Sequence, residues 1–222
     1  MNELMWIITL LFSFFGVLLF YKLFGKVGLF VWIAAATIIC NIQTTKIIDI
    51  FGLETSLGTI LYGSTFLATD IINEHYGKKQ AKKTIVLGFL VMLFMTILMT
   101  IALLYIPSKS DFANESLKTI FTLNIRITIG SICGFVLSQL VDTLIYNKFK
   151  RKFNALWIRN NISTIISQLI DTIVFVSITY LGNMNISIII NIAFTMYIFK
   201  VLVAILDTPF MYLSKKIQCI EI

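Results

Sequence analysis

Apolar residues fall into seven long windows, roughly 4–21, 28–45, 57–75, 84–106, 117–147, 160–182 and 186–213, separated by short polar connections. Crossing the hydrocarbon of a bilayer takes about 20 mainly apolar residues in a helix. Each window therefore predicts one membrane-spanning helix, and the chain reads as an all-α, polytopic helical bundle with little left over for a soluble domain. The first window lacks the basic start and small-residue cleavage site of a signal peptide and is read as a retained helix. The expected organisation is an N-terminal transmembrane helix over 1–26 followed by a transmembrane core over 27–216.

Polar residues inside these windows are patterned. Positions three and four apart share a helix face, and in the sixth window Asn160, Thr164, Ser167, Gln168 and Asp171 make one continuous stripe. The fifth repeats the arrangement with Ser131, Ser138, Gln139 and Asp142, and the third carries Thr59, Gly63, Asp70 and Asn73 on one side. The run Ser138-Gln139-Leu140-Val141-Asp142-Thr143 recurs 29 positions later as Ser167-Gln168-Leu169-Ile170-Asp171-Thr172.

Charges are set into the same windows: Asp70, Arg126, Asp142, Asp171, Lys200 and Asp207. A charge at the centre of a membrane helix costs roughly 2.5–3.5 kcal/mol on insertion scales and by default marks a functional site. Serine and threonine alone would fit hydrogen bonding between helices; six charges point instead to a solvated central cavity. Arg126 and Asp142 are 16 residues apart, about 160° around a straight helix, so they are not an obvious pair. Lys200 reaches a depth similar to Asp171, which suggests an ion pair between them. Asn41, Gln43 and Lys46 close the second helix, as a pathway lining or as a polar helix end. Pro209 predicts a kink near the end of the last window.

Basic residues are held on the cytoplasmic side of membranes, and here they alternate. Lys22 and Lys26 follow the first window, Lys78, Lys79, Lys82 and Lys83 the third, Lys148, Lys150, Arg151 and Lys152 the fifth, and Lys215 and Lys216 the seventh. This predicts a multi-pass protein of the cell (inner) membrane with its N-terminus outside and its C-terminus in the cytoplasm. The net charge of +7 then reflects topology and contact with anionic lipid, and no nucleic-acid partner is assigned. At 58% hydrophobic and 13% charged residues, the chain lies far from the roughly 25% charge of soluble domains.

Cys40, Cys133 and Cys219 have no paired spacing, so neither a disulfide framework nor a thiolate metal site is expected. His75 is the one histidine, read as a capping or interfacial group, and no metal or other cofactor is called for. No phosphate-cradling Gly-x-x-x-x-Gly-Lys-Ser/Thr run exists, so the chain does not hydrolyse ATP itself. A catalytic serine motif is likewise missing, and the chain is not read as an enzyme.

Several ordered motifs carry a resemblance. They are Phe66-Leu67-Ala68-Thr69-Asp70, the corner Asn73-Glu74-His75-Tyr76-Gly77-Lys78-Lys79, Arg126 followed by Ser-Gln-x-x-Asp, Ser163-Thr164 followed by Ser-Gln-x-x-Asp-Thr, and Lys200 upstream of a proline-containing end. Over roughly residues 28–214 the chain resembles the queuosine precursor transporter family, also called the vitamin uptake transporter family. The resemblance implies an inner-membrane importer of 7-deazaguanine precursors of queuosine, such as the cyano or aminomethyl bases or queuine, working without an attached ATPase. It also implies six core helices similar to the substrate-binding subunits of energy-coupling-factor transporters, here with an extra N-terminal helix. Carried onto this sequence, the family's polar positions fall on Asn41, Asp70, Arg126, Gln139, Asp142, Asp171 and Lys200. Gln168 stands where relatives can carry asparagine.

These residues suit such a ligand. A deazaguanine offers two adjacent donors that one carboxylate can accept, Asp171 first and Asp142 second, through charge-assisted bonds. Gln139 and Gln168 supply amides that both donate and accept, and Trp32, Tyr62, Phe135 or Phe175 could stack on the base. The mechanism expected is a rocking carrier with its site near the midplane between the fifth and sixth helices. Coupling to protons through Asp171 or Asp142 and uncoupled import are both left open, as is homo-oligomerisation. The chief alternative is a substrate-capture subunit that docks on a separate energy-coupling ATPase module.

Overall fold

A computed structural model describes residues 1–150 and 156–219; the side chains of 78, 139, 140, 142–150, 156–164, 204 and 208 lie outside the described set. The order is α1 (Asn2–Thr44), β1 (Ile47–Ile50), β2 (Leu53–Ser56), α2 (Gly58–Tyr76), α3 (Lys78–Ala102), α4 (Asn114–Lys150), α5 (Leu156–Tyr180), α6 (Ile186–Leu206) and α7 (Thr208–Ser214). The chain is a helical membrane bundle, as its hydropathy requires.

The first two windows are joined in α1, and Gly25 reverses the chain between them with φ 53° and ψ −133°. Only glycine adopts that region without strain. The two arms fold back on each other: Gly16 lies against the Trp32 indole, and the Phe20 and Trp32 rings are 5.4 Å apart. On a straight helix residues 16 and 32 would be about 24 Å apart. The seventh window is also divided. α6 stops at Asp207, and α7 restarts with Pro209 in its first turn, where a missing N–H leaves no carbonyl unanswered.

Among the described residues, four helices are long and apolar enough to span a membrane: α1, 79–102 of α3, 114–138 of α4 and 186–203 of α6. The 165–180 part of α5 is shorter, and α2 spends Asp70, Asn73 and Glu74 on polar positions. Both bring a polar stripe into the bundle, which lowers their hydropathy. Phe12, Phe94 and Phe194 are exposed on α1, α3 and α6, as expected of surfaces that meet lipid.

The bundle has two distinct ends. At one, β1 and β2 form an antiparallel hairpin whose central residues Phe51 (φ 54°) and Gly52 (φ 75°) both take positive φ, the geometry of a type I′ turn. The N-terminus closes on this hairpin, with Asn2 Nδ2 donating to the Asp49 carbonyl at 2.8 Å and the Phe51 amide donating to Glu3 at 3.2 Å. The apolar periodicity gives no strand here; the hairpin is a structural finding. At the other end, the basic end, Tyr21 beside the α1 reversal, the end of α2 and α7 meet. The Tyr21 and His75 rings are 5.1 Å apart, His75 Nε2 lies 3.2 Å from Ser214 Oγ, and Lys215 pairs with Glu74 at 2.7 Å. His75 thus takes the helix-end position anticipated for it.

Two apolar clusters fix the helices. The larger joins α1, α2, α6 and α7 through Trp6, Phe14, Leu67, Ile71, Phe199 and Val203, with Trp6 against Phe199 and Phe14 against Phe210 at 5.3 and 4.9 Å between ring centroids. The smaller joins α4, α5 and α6 through Ile127, Phe175, Val176, Tyr180 and Ile192.

Replacing Gly25 with alanine forces a Cβ into a conformation that costs about 1–3 kcal/mol. Thermal unfolding of the purified protein should show a clear fall for Gly25→Ala and almost none for Gly52→Asn, whose φ asparagine tolerates; equal melting temperatures for Gly25→Ala and the native chain would refute this account of the reversal.

Candidate functional site

Between the two clusters lies a cavity of about 380 Å³, near the low end of small-molecule sites at roughly 300–1,000 Å³. α2, α4, α5, α6, α3 and the second arm of α1 all contribute to it. Asp70, Asn73 and Lys82, toward the basic end, line it and are exposed, whereas Thr44, Thr59, Ile127 and Met196 toward the hairpin end are buried. The cavity therefore opens toward the basic end and is closed at the hairpin end. That closure is tight: Tyr180 Oη and Ser56 Oγ both donate to the Thr44 carbonyl, at 3.1 and 3.2 Å, and β2 packs on α6.

One wall carries the expected ion pair. Lys200 Nζ of α6 donates to Asp171 Oδ2 of α5 at 2.5 Å, and both side chains are at least nine-tenths buried. Both line the cavity. The ammonium also sits 5.9 Å from the centroid of the Tyr62 ring, a cation–π contact from α2. α4 can pass this close because residue 134 is glycine; a Cβ there would stand 2.9 Å from Asp171 Oδ1. The polar stripe on α5 continues with Ser167 and Gln168, which also face the cavity, and Gln168 Oε1 has no hydrogen-bond partner among the described residues.

The remaining expectations divide. Asn41 lines the cavity, 4% exposed, with Nδ2 donating to the Thr37 carbonyl at 2.8 Å. Asp70 lines it without an ion-pair partner among the described residues. Arg126 does not reach the cavity: its guanidinium donates to the Leu181 carbonyl at 2.6 Å, just past the end of α5, where a cation meets the negative end of the helix dipole. Gln139 and Asp142 lie on α4, but their side chains fall outside the described residues, as do those of Asn160 and Thr164. Tyr62, Phe135 and Phe175 line the cavity; Trp32 does not, being turned to Ser64 Oγ at 3.0 Å. Sequence reading passed over Phe89, whose ring lies 4.8 Å from that of Phe135, and Lys82, which it treated purely as a topological charge. No groups of three or more potential metal ligands occur among the described residues.

Residues 56–214 match the family described as "Putative vitamin uptake transporter". The chain belongs to that transporter family. It is 40% identical over 218 residues, 97% of this chain and 95% of the relative, to a Bacillus subtilis protein named "Probable queuosine precursor transporter". A Haemophilus influenzae protein of the same name is 29% identical over 59% of this chain and 54% of its own length. The Escherichia coli "Queuosine precursor transporter" is 26% identical over 71% of each chain. No solved structure matches. The chain is thus a multi-pass membrane protein of a small-molecule transporter family, with a cavity of small-molecule size.

Because the pair is buried, removing one partner strands the other, at a cost of about 3–5 kcal/mol. Lys200→Met should lower the thermal stability of the purified protein strongly, and Lys200→Met combined with Asp171→Asn should recover most of that loss. If the double variant is as unstable as the single one, the two charges do not compensate each other.

Proposed function

We propose that this chain is a stand-alone carrier that imports 7-deazaguanine precursors of queuosine. The observation that carries this reading is the single wall of Lys200, Asp171 and Gln168 facing a closed-ended cavity of small-molecule size. A guanine-like base presents a ring carbonyl next to a ring N–H and an exocyclic amine. Lys200 supplies the donor for the carbonyl, Asp171 accepts from the two N–H groups, and the unpartnered Gln168 Oε1 accepts a further hydrogen. Stacking on Tyr62, Phe135 or Phe175 adds about 1–3 kcal/mol. Asn41 and Asp70 complete the lining, and the repeated Ser-Gln-x-x-Asp motif assigns Gln139 and Asp142 to the same ligand. The work is binding and release; no bond is made or broken.

The proposed orientation follows the lysines. Lys22, Lys26, Lys79, Lys82, Lys83, Lys215 and Lys216 belong to the basic end, so it faces the cytoplasm of a cell membrane and the hairpin end faces out. The structure then corresponds to the inward-open state. Import is drawn either by later incorporation of the base into tRNA or by a proton carried on a cavity acid.

Proteoliposomes containing only this chain should accumulate labelled 7-cyano- or 7-aminomethyl-7-deazaguanine, and an imposed pH gradient separates coupled from uncoupled import. Asp171→Asn should cut the initial rate at least about tenfold, equivalent to about 1.4 kcal/mol of lost interaction. Arg126→Gln should lower thermal stability while leaving KM unchanged. Uptake that requires a co-reconstituted ATPase module would instead identify a substrate-capture subunit.

A further inference from the structure

α4 turns Ile127, Ser131 and Phe135 toward the cavity, four residues apart. One turn nearer the hairpin end the same stripe reaches Asn124, outside the cavity as it stands and outside every motif of the sequence. Its side chain is fully buried, and neither its amide nitrogen nor its amide oxygen has a hydrogen-bond partner among the described residues. Other buried polar side chains behave otherwise: Thr128, one turn along, bonds Thr96 Oγ1 at 2.6 Å, and cavity-lining Asn41 bonds its own helix. A carboxamide has two donors and an acceptor with two lone pairs, and burying all of them unanswered is among the costlier arrangements in a folded protein. A leucine would fit the closed packing better, so the closed state gives the amide no purpose.

Three further orphaned hydroxyls lie toward the same end, among them Thr55 Oγ1 on β2. Thr59 Oγ1 borders the cavity where it is closed, and Thr179 Oγ1 sits where α4 and α5 cross, 2.9 Å from where a Cβ on Gly130 would be. Both are buried. What shuts the cavity off at this end is neutral: the hydroxyls of Tyr180 and Ser56 share one carbonyl, Thr44, and among the described residues no ion pair joins the helices there. Contacts of that kind are separable.

We infer that Asn124 is a substrate-contact residue of the outward-open state: when the Tyr180–Thr44 contact parts, Asn124, with Thr59 and Thr179, lines the hairpin-end approach to the cavity and hydrogen-bonds a flat heterocycle with adjacent donor and acceptor groups before it reaches Asp171 and Lys200. The inference rests on reading the chain as a base carrier. A carboxamide pairs with such an edge through a donor atom and a separate acceptor atom side by side, a two-point match that a single hydroxyl oxygen or an apolar side chain does not offer. The same opening also relieves the amide of its dry burial, so the group favours the state in which it works.

The test sets stability against transport. Asn124→Leu should be at least as thermostable as the native chain, because it removes a buried unanswered amide, yet its initial uptake of 7-cyano-7-deazaguanine should fall at least about tenfold; Asn124→Ser should fall less. Uptake by Asn124→Leu at the native rate would overturn the inference. A second measurement depends on neither folding of that variant nor the identity of the base. In a chain with Cys40, Cys133 and Cys219 replaced by alanine, the thiol introduced by Asn124→Cys should react with a membrane-impermeant methanethiosulfonate added from the hairpin side, and faster when Tyr180→Phe is also present. A thiol that stays unmodified in both backgrounds sinks the inference. Failure of the native chain to take up any 7-deazaguanine, with the labelling intact, would sink the assigned substrate and leave the access route standing.

Discussion

Within hydrocarbon, a polar or charged side chain has only protein, enclosed solvent or a ligand to answer it, and the architecture of this protein follows from that constraint. Lys200 and Asp171 answer each other across α5 and α6. The pair sits against Gly134, where a Cβ on α4 would stand 2.9 Å from Asp171 Oδ1. Around that point six helical segments turn polar positions inward, while residues such as Phe12, Phe94 and Phe194 are exposed on the outer faces. The cavity is the space those inward faces cannot fill with each other. Its unanswered groups, Gln168 Oε1 foremost, are the ones a ligand can satisfy.

Much of this was legible in the chain. Windows of hydrophobicity gave the apolar helices, four of which among the described residues are long and apolar enough to span a membrane, and helical periodicity gave the faces: Ser167, Gln168 and Asp171 do line the cavity, as do Thr59, Asp70 and Asn73. Depth alone paired Lys200 with Asp171. The turn at Gly25 and the break at Asp207 fall where the lysines and Pro209 interrupt the apolar windows.

The rest was hidden for identifiable reasons. Ile47–Ile50 and Leu53–Ser56 are too short for a periodicity argument, and the cue available, Phe51-Gly52 between two β-capable runs, was masked by a phenylalanine where asparagine or aspartate usually stands. Arg126 reads as an intramembrane charge, but a long, flexible side chain near a helix end reaches whatever carbonyl lies free, and Leu181 offers one. Among the aromatics, spacing could not separate Trp32 from Tyr62, since that difference lies in which neighbour each indole or phenol meets. Asn124 carries no sequence signal at all; one amide in an apolar window looks like any other until its partners are counted.

The Lys200–Asp171 pair also bears on energetics across the membrane. A single charge displaced through the full field is worth about 2.3 kcal/mol per 100 mV, whereas adjacent opposite charges that travel together do net work close to zero. For this pair, membrane voltage is neither a motor nor a brake; electrical bias comes only from charges outside it.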